Sequence, residues 1–321
     1  MSRKPRSLGL YLMVSVGLLG GCSVSSEGPL TRVGRVKVGI AYAVAVDGDY
    51  AYVTNNDGVV IVDIGAPTGP KKLALLKIDD GAFGIAVRDG IAYIAGDEDG
   101  FITADVTDPR NPRRIGLYQP GGSMTSVCLQ GGRAYVGCGH RRLIVLSVDD
   151  PAHPTLLGEY TDEGRVMGLF CHGDIVYLAD PTSGLEVIDM ANPASPVKLT
   201  TVPDTPNAWG MDMHGTLLFL GCHANGVKIL DASDPRNPKV VGSFSNGGEV
   251  YGVTGDDAFL YVGDLQDGVE VLDIRNPENP QMTARAERYG VHGVTHRGKY
   301  VHVATGNRGF IILEHRERTN R

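Results

Sequence analysis

The sequence predicts an all-β protein, a seven-bladed β-propeller with four antiparallel strands per blade, and three observations predict it. The first is a repeat. Asp63, Asp105, Ser147, Asp189, Asp231, Asp273 and Glu314 each close a short apolar run, at steps of 42 residues with a last step of 41. A fixed period in this range marks a solenoid, an array or a propeller. The second is the texture of each copy: short β-type runs bounded by Gly, Pro, Asn and Asp, with no apolar pattern of helical period sustained after residue 30. Four short strands in a unit of about 40 residues make a propeller blade. The third is a split copy. The seventh supplies only three strands, around His292-Gly293-Val294 and Phe310-Ile311-Ile312-Leu313, whereas Pro29 to Val36 matches the fourth-strand pattern of Pro112 to Tyr118. The N-terminal strand is therefore expected to complete the last blade, close the ring and leave only short, protected edges.

In chain order, residues 1–21 read as an export signal. Arg3, Lys4 and Arg6 form a positive start, Leu8 to Leu19 an apolar stretch, and Leu19-Gly20-Gly21-Cys22 follows. The apolar stretch is short for a membrane span, which needs about 20 residues. The end of the segment resembles a lipoprotein box. That resemblance implies cleavage before Cys22, lipidation of its thiol, and attachment to the membrane through this anchor. Ser23 after the cysteine resembles Gram-negative sorting to the outer membrane. An ordinary cleaved signal and an uncleaved anchor helix are the alternatives. Residues 22–27 are then a lipidated tether, 28–315 the propeller and 316–321 a charged tail.

Within the copies, Gly58, Gly100, Gly184, Gly226, Gly268 and Gly309 sit five residues before the marker position, where a turn calls for positive φ. Proline pairs from Pro67/Pro70 to Pro277/Pro280 follow the marker and belong to the connection between third and fourth strands, because proline cannot donate to a ladder. The recurring Asp is best placed to accept backbone N–H bonds in an Asx-turn. Its carboxylates are spread around the ring, which argues against catalysis or metal binding by them.

Val59-Val60-Ile61-Val62-Asp63, Leu185-Glu186-Val187-Ile188-Asp189 and Val269-Glu270-Val271-Leu272-Asp273 resemble the LVIVD repeat of bacterial propeller proteins, and Tyr52-Val53-Thr54-Asn55 matches the signature of the YVTN-like surface propellers. The resemblance spans all seven copies. It implies a propeller of the bacterial cell envelope and no defined activity. The Trp-Asp dipeptide of WD-repeat propellers does not recur, and quinoprotein propellers carry recurrent tryptophans where this chain has Trp209 alone.

Cleavage before Cys22 removes three basic and no acidic residues, taking the formal charge from −7 to −10. An acidic surface argues against nucleic acid, which needs basic patches. No G-x-S-x-G elbow, H-E-x-x-H, P-loop or dinucleotide fingerprint is present, so no catalytic residue, cofactor or metal ligand is assigned. Cys128, Cys138, Cys171 and Cys222 are expected as buried free thiols, with a Cys128–Cys171 bridge between adjacent inner strands as the alternative. Asp212 lies on an inner strand without a partner acid.

Residues that build every copy are scaffold, so function is sought where copies differ. The second residues of the inner strands are Tyr42, Phe83, Thr125, Met167, Trp209, Tyr251 and His292. Tyr42, Phe83, Met167, Trp209, Tyr251 and His292 are candidate binding residues at one mouth of the channel. The neighbouring loops are acidic, with Asp180 and Asp264 as rim candidates, and blade 3 departs with His140, Arg141 and Arg142. The expected function is a non-catalytic binding module for an envelope protein, peptide or glycan. The rival is a metal-assisted hydrolase or lyase with its site in the channel.

Overall fold

The computed structural model of the chain describes residues 29–138, 140–286 and 290–317. The expected signal at residues 1–21, Cys22 and the expected tether lie outside the described residues. The rest forms seven four-stranded antiparallel sheets. Blades 1 to 6 cover residues 41–77, 84–118, 124–165, 168–202, 211–244 and 250–286, and blade 7 covers residues 293–315. Leu30–Val36 pairs antiparallel with Phe310–His315 as the fourth strand of blade 7. First strands of adjacent blades touch all the way round, including those of blades 7 and 1, so the ring is closed as expected.

Burial follows from this stacking. Second and third strands are covered on both faces by neighbouring blades, so Val59, Val60, Ile61 and Val62 are all fully buried. That is why these runs are continuously apolar instead of alternating. The core is correspondingly divided. One cluster joins Tyr52, Val59 and Ile61 of blade 1 to Ala92, Ile94 and Ile102 of blade 2, and further clusters repeat this arrangement between later blades. Fourth strands face solvent on one side, as in Arg113–Tyr118.

The punctuation has the roles assigned to it. The six glycines before the marker all have positive φ, from +73° at Gly226 to +129° at Gly58. The Asx-turn is present at each of the five aspartates: Asp63, Asp105, Asp189, Asp231 and Asp273 accept the amide two residues on at 2.9–3.0 Å. The hydroxyl and amide of Thr107 hold the Asp105 carboxyl down to about 2. A second glycine set was not singled out by the sequence. A Cβ on Gly158 or Gly242, in fourth strands, would lie 1.8 Å from the carbonyl oxygen of Pro193 or Pro277 in the next blade. The proline loops thus dock on glycines of the preceding blade.

One expectation is corrected. Cys138 and Cys222 are buried free thiols, but Cys128 and Cys171 form a disulfide across blades 3 and 4. Inner strands converge on the axis, and this brings the two Cα atoms to 6.2 Å, within bridging range. The same register carries other links. Asp212 accepts the Gly255 amide across blades 5 and 6 at 3.1 Å, and Thr254 bonds His296 across blades 6 and 7 at 2.9 Å. Replacing both Cys128 and Cys171 by Ser is expected to cost about 2–4 kcal/mol, as for loop-closing disulfides generally. Urea unfolding with and without reductant reads this out. A midpoint insensitive to reductant and to the double substitution would show that the bridge does not contribute.

Candidate functional site

The end of the channel where the inner strands begin is ringed by the side chains that the repeat leaves variable. Tyr42 and Tyr251 lie within their first strands, whereas Phe83, Met167, Trp209 and His292 precede theirs. The ladder nonetheless holds these four in place. Their amides bond to the carbonyls of Ala95, Ala179, Gly221 and Ala304 at 2.9–3.0 Å. Small residues let the strands approach here. A Cβ on Gly168 would lie 2.0 Å from the Trp209 carbonyl oxygen, and one on Gly210 2.2 Å from that of Tyr251.

Five of the six candidates form a continuous arc across five blades. Ring centroids are 5.0 Å apart for Phe83 and Tyr42, 6.0 Å for Tyr42 and His292, 5.9 Å for His292 and Tyr251, and 4.7 Å for Tyr251 and Trp209. The pairs are tilted or edge-to-face, the arrangements that ring quadrupoles favour. All five are half-buried, each keeping part of its surface open. Met167 is half-buried at the equivalent position of blade 4. In blade 3 Thr125 donates its hydroxyl to the Val166 carbonyl at 2.8 Å. Tyr42 donates its hydroxyl to Asn56 Oδ1 at 2.5 Å. Burial lowers the His292 pKa, so its ring is neutral near pH 7.

His223, which is not among the candidates counted from the inner strands, also belongs to this group. Its ring centroid lies 5.3 Å from Tyr251 and 6.0 Å from Trp209, and its Nε2 lies 3.5 Å from a Glu249 carboxylate oxygen. The residue sits in the loop after a second strand, with φ at +46°. That loop shares the rim with the inner-strand starts, which is the signal that could have found it.

The acidic rim is less exposed than its sequence suggests. Asp180 and Asp264 are 4% and 0% exposed. Asp180 accepts the amides of Thr182 and Ser183, and Asp264 those of Gln266 and Asp267. Both carboxylates therefore fold their loops from beneath and present little charge at the surface. Asp97 is only half-buried. Its pKa is raised first by burial and further by neighbouring Asp80 and Asp99. The backbone of His140, Arg141 and Arg142 opens the third strand of blade 3, and their side chains lie outside the described residues.

Deeper in the channel, Asp212 has company after all. Its Oδ2 accepts from the Thr254 hydroxyl at 2.9 Å, and Thr254 Oγ1 lies 2.9 Å from His296 Nδ1. The three are spaced one repeat apart, on three successive blades. Burial lowers the His296 pKa. With the imidazole neutral and Thr254 donating to Asp212, His296 Nδ1–H donates to Thr254, and the relay is satisfied as a link between strands. Among the described residues no group of three His, Cys, Asp or Glu side chains is placed to share a metal ion.

The chain is similar to solved structures at the level of fold. These include the propeller domain of Cps50 (Swd1) from Myceliophteria thermophila, at 12% identity and a TM-score of 0.73, covering 90% of this chain and 100% of that one. The computationally designed protein Ika8 matches at 11% identity and 0.65, over 85% and 83% of the two chains. BamB from Moraxella catarrhalis matches at 12% identity and 0.64, over 91% and 99%. No curated protein matches the sequence. The model of the LVIVD repeat matches six times, at residues 38–73, 81–119, 121–162, 163–203, 207–246 and 247–287. The chain therefore belongs to the LVIVD-repeat family.

Proposed function

We propose that this LVIVD-repeat propeller is an exported, lipid-anchored and non-catalytic binding module of the bacterial cell envelope, held through Cys22 at the outer membrane. Its partner is an envelope protein, peptide or glycan, received at the aromatic mouth. The observation that carries this reading is the arc from Phe83 through Tyr42, His292 and Tyr251 to Trp209: large, rigid rings held half-exposed and in mutual contact across five blades at one end of the ring. Trp and Tyr in such settings supply contact area at low entropic cost and dominate interface energetics. The Cys128–Cys171 bridge supports export, since structural disulfides persist in oxidising compartments.

Trp209 is the single tryptophan of the chain, so its fluorescence reports on the mouth directly. An envelope partner captured by the wild-type protein should shift Trp209 emission on binding. Trp209→Ala with Tyr251→Ala should weaken capture by about 30-fold or more, as loss of at least one interface hot spot does, at an unchanged melting temperature. Capture that survives both substitutions would move the site away from the mouth. For the anchor, Cys22→Ala should abolish incorporation of labelled fatty acid, and label retained by that variant would overturn the lipidation.

A further inference from the structure

One buried position breaks its own pattern in three consecutive blades. The residue three before the marker position is Val60, Ile102, Ile144 and Ile311 in blades 1, 2, 3 and 7, but Glu186, Lys228 and Glu270 in blades 4, 5 and 6. Each is paired in register with an apolar residue of the second strand, and each faces the preceding blade. A charge here is costly unless it is compensated. Glu186 and Glu270, each 1% exposed, are compensated from their own fourth strands, by Lys198 at 2.6 Å and Arg285 at 2.5 Å. Lys228 stands opposite Ser243, which carries no charge. Among the described residues no hydrogen bond or ion pair reaches its ammonium group, although the side chain is half-buried.

Lys228 lines a cleft of about 510 Å³ whose other walls are Asp204, Pro206, Asn225 and Val240. The cleft lies where the connection from blade 4 crosses to blade 5. Asp204, in that connection, has φ at +62° and is exposed. We propose that this cleft binds a small anion, a carboxylate or phosphate group, on the Lys228 ammonium, with the Asn225 side chain as a second polar contact. Asp204 adds a selection. A carboxylate at the entrance repels a bare polyanion and accepts a hydrogen bond, so it favours a ligand whose anionic group adjoins a hydroxyl, as in a hydroxycarboxylate or a hydrogen phosphate. Val240 and Pro206 supply an apolar wall for the carbon skeleton. The site is separate from the aromatic mouth and does not depend on it.

The test uses the full-length protein in detergent, with inorganic phosphate and glycolate as probes against chloride at matched ionic strength. Saturating phosphate or glycolate should raise the melting temperature by about 3 °C or more, the size expected of a ligand at roughly ten times its Kd. A response to phosphate alone assigns a phosphoryl ligand, and one to glycolate alone a carboxylate. Lys228→Met should abolish the rise and Lys228→Arg should retain part of it. Lys228→Met should fold, because the position is apolar in four other blades. As an independent reading, the same probes should protect the Lys228 amine from acetylation in the native protein, followed by mass spectrometry. No rise and no protection with either probe, or a rise undiminished in Lys228→Met, would overturn the site.

Discussion

Removal of residues 29–36 is expected to abolish cooperative folding of the ring. This strand is the only covalently remote member of its blade, and it contributes six register pairs to the third strand of blade 7. Its loss takes away buried Leu30 and leaves Phe310, Ile311, Ile312 and Leu313, each at most 2% exposed in the intact ring, on a bare strand edge. Burial of a large apolar side chain stabilises by about 1.5–3 kcal/mol. Uncovering several at once is comparable with the whole net stability of a domain, about 5–15 kcal/mol. An unpaired apolar edge is also a template for aggregation. Far-ultraviolet circular dichroism and melting of the truncated protein, with and without a synthetic 29–37 peptide, decide the matter. The peptide should restore a cooperative transition. A truncated protein that melts within about 3 °C of the full chain, a shift worth only ~1 kcal/mol in a protein of this kind, would show that closure is dispensable.

The second large effect is expected at Arg285. Its guanidinium meets Glu270 at 2.5 Å and Asp267 at 2.9 Å, and Asn246 also donates to Glu270 at 2.5 Å. Burial is the main cause that raises the Glu270 pKa, and Arg285 is the main cause opposing it. Arg285→Ala removes the opposing charge and leaves a buried carboxylate beside Asp264 and Asp267. Breaking a buried pair this way costs about 3–5 kcal/mol. The sign of the pH dependence follows. A carboxyl whose folded pKa is raised above its unfolded value holds its proton better when folded, so stability falls as pH rises from the unfolded pKa through the folded one. The Arg285→Ala deficit should therefore be largest near neutral pH and shrink as the solution is acidified toward the ordinary carboxylate range. Glu270→Ile with Arg285→Leu should recover most of the loss, since isoleucine holds this position in three other blades. Denaturant titrations at several pH values measure all of this, and a deficit independent of pH would mean that Glu270 is not its source.

The ring was legible in the sequence because its determinants are local. A positive φ at Gly184, an Asx-turn at Asp189 and a proline after it each fix a few dihedrals, and each recurs in the same place. The positions of Tyr42, Phe83, Trp209, Tyr251 and His292 followed from counting along those copies. What counting could not supply was distance between blades. Cys128 and Cys171 pair because inner strands crowd the axis, and Asp212 finds Thr254 for the same reason. His223 enters the arc through a left-handed backbone turn that the strand pattern does not encode. The depth of Asp180 and Asp264 was hidden too. Polar residues in a loop read as exposed, whereas these two are drawn inward by the amides they accept.

The shared seventh blade bears on how such a chain changes over generations. Its seam falls between the third and fourth strands of a blade, so the chain divides into seven consecutive units, each a fourth strand followed by the first three strands of the next blade. Gain or loss of one whole unit would thus leave the same two ends, a leading fourth strand and a trailing third, still complementary to each other. The clasp is indifferent to the number of units it encloses. A lineage can lengthen or shorten the ring by duplication or deletion and keep its ends matched at every step, with the packing angle between neighbouring sheets left to decide which ring sizes survive.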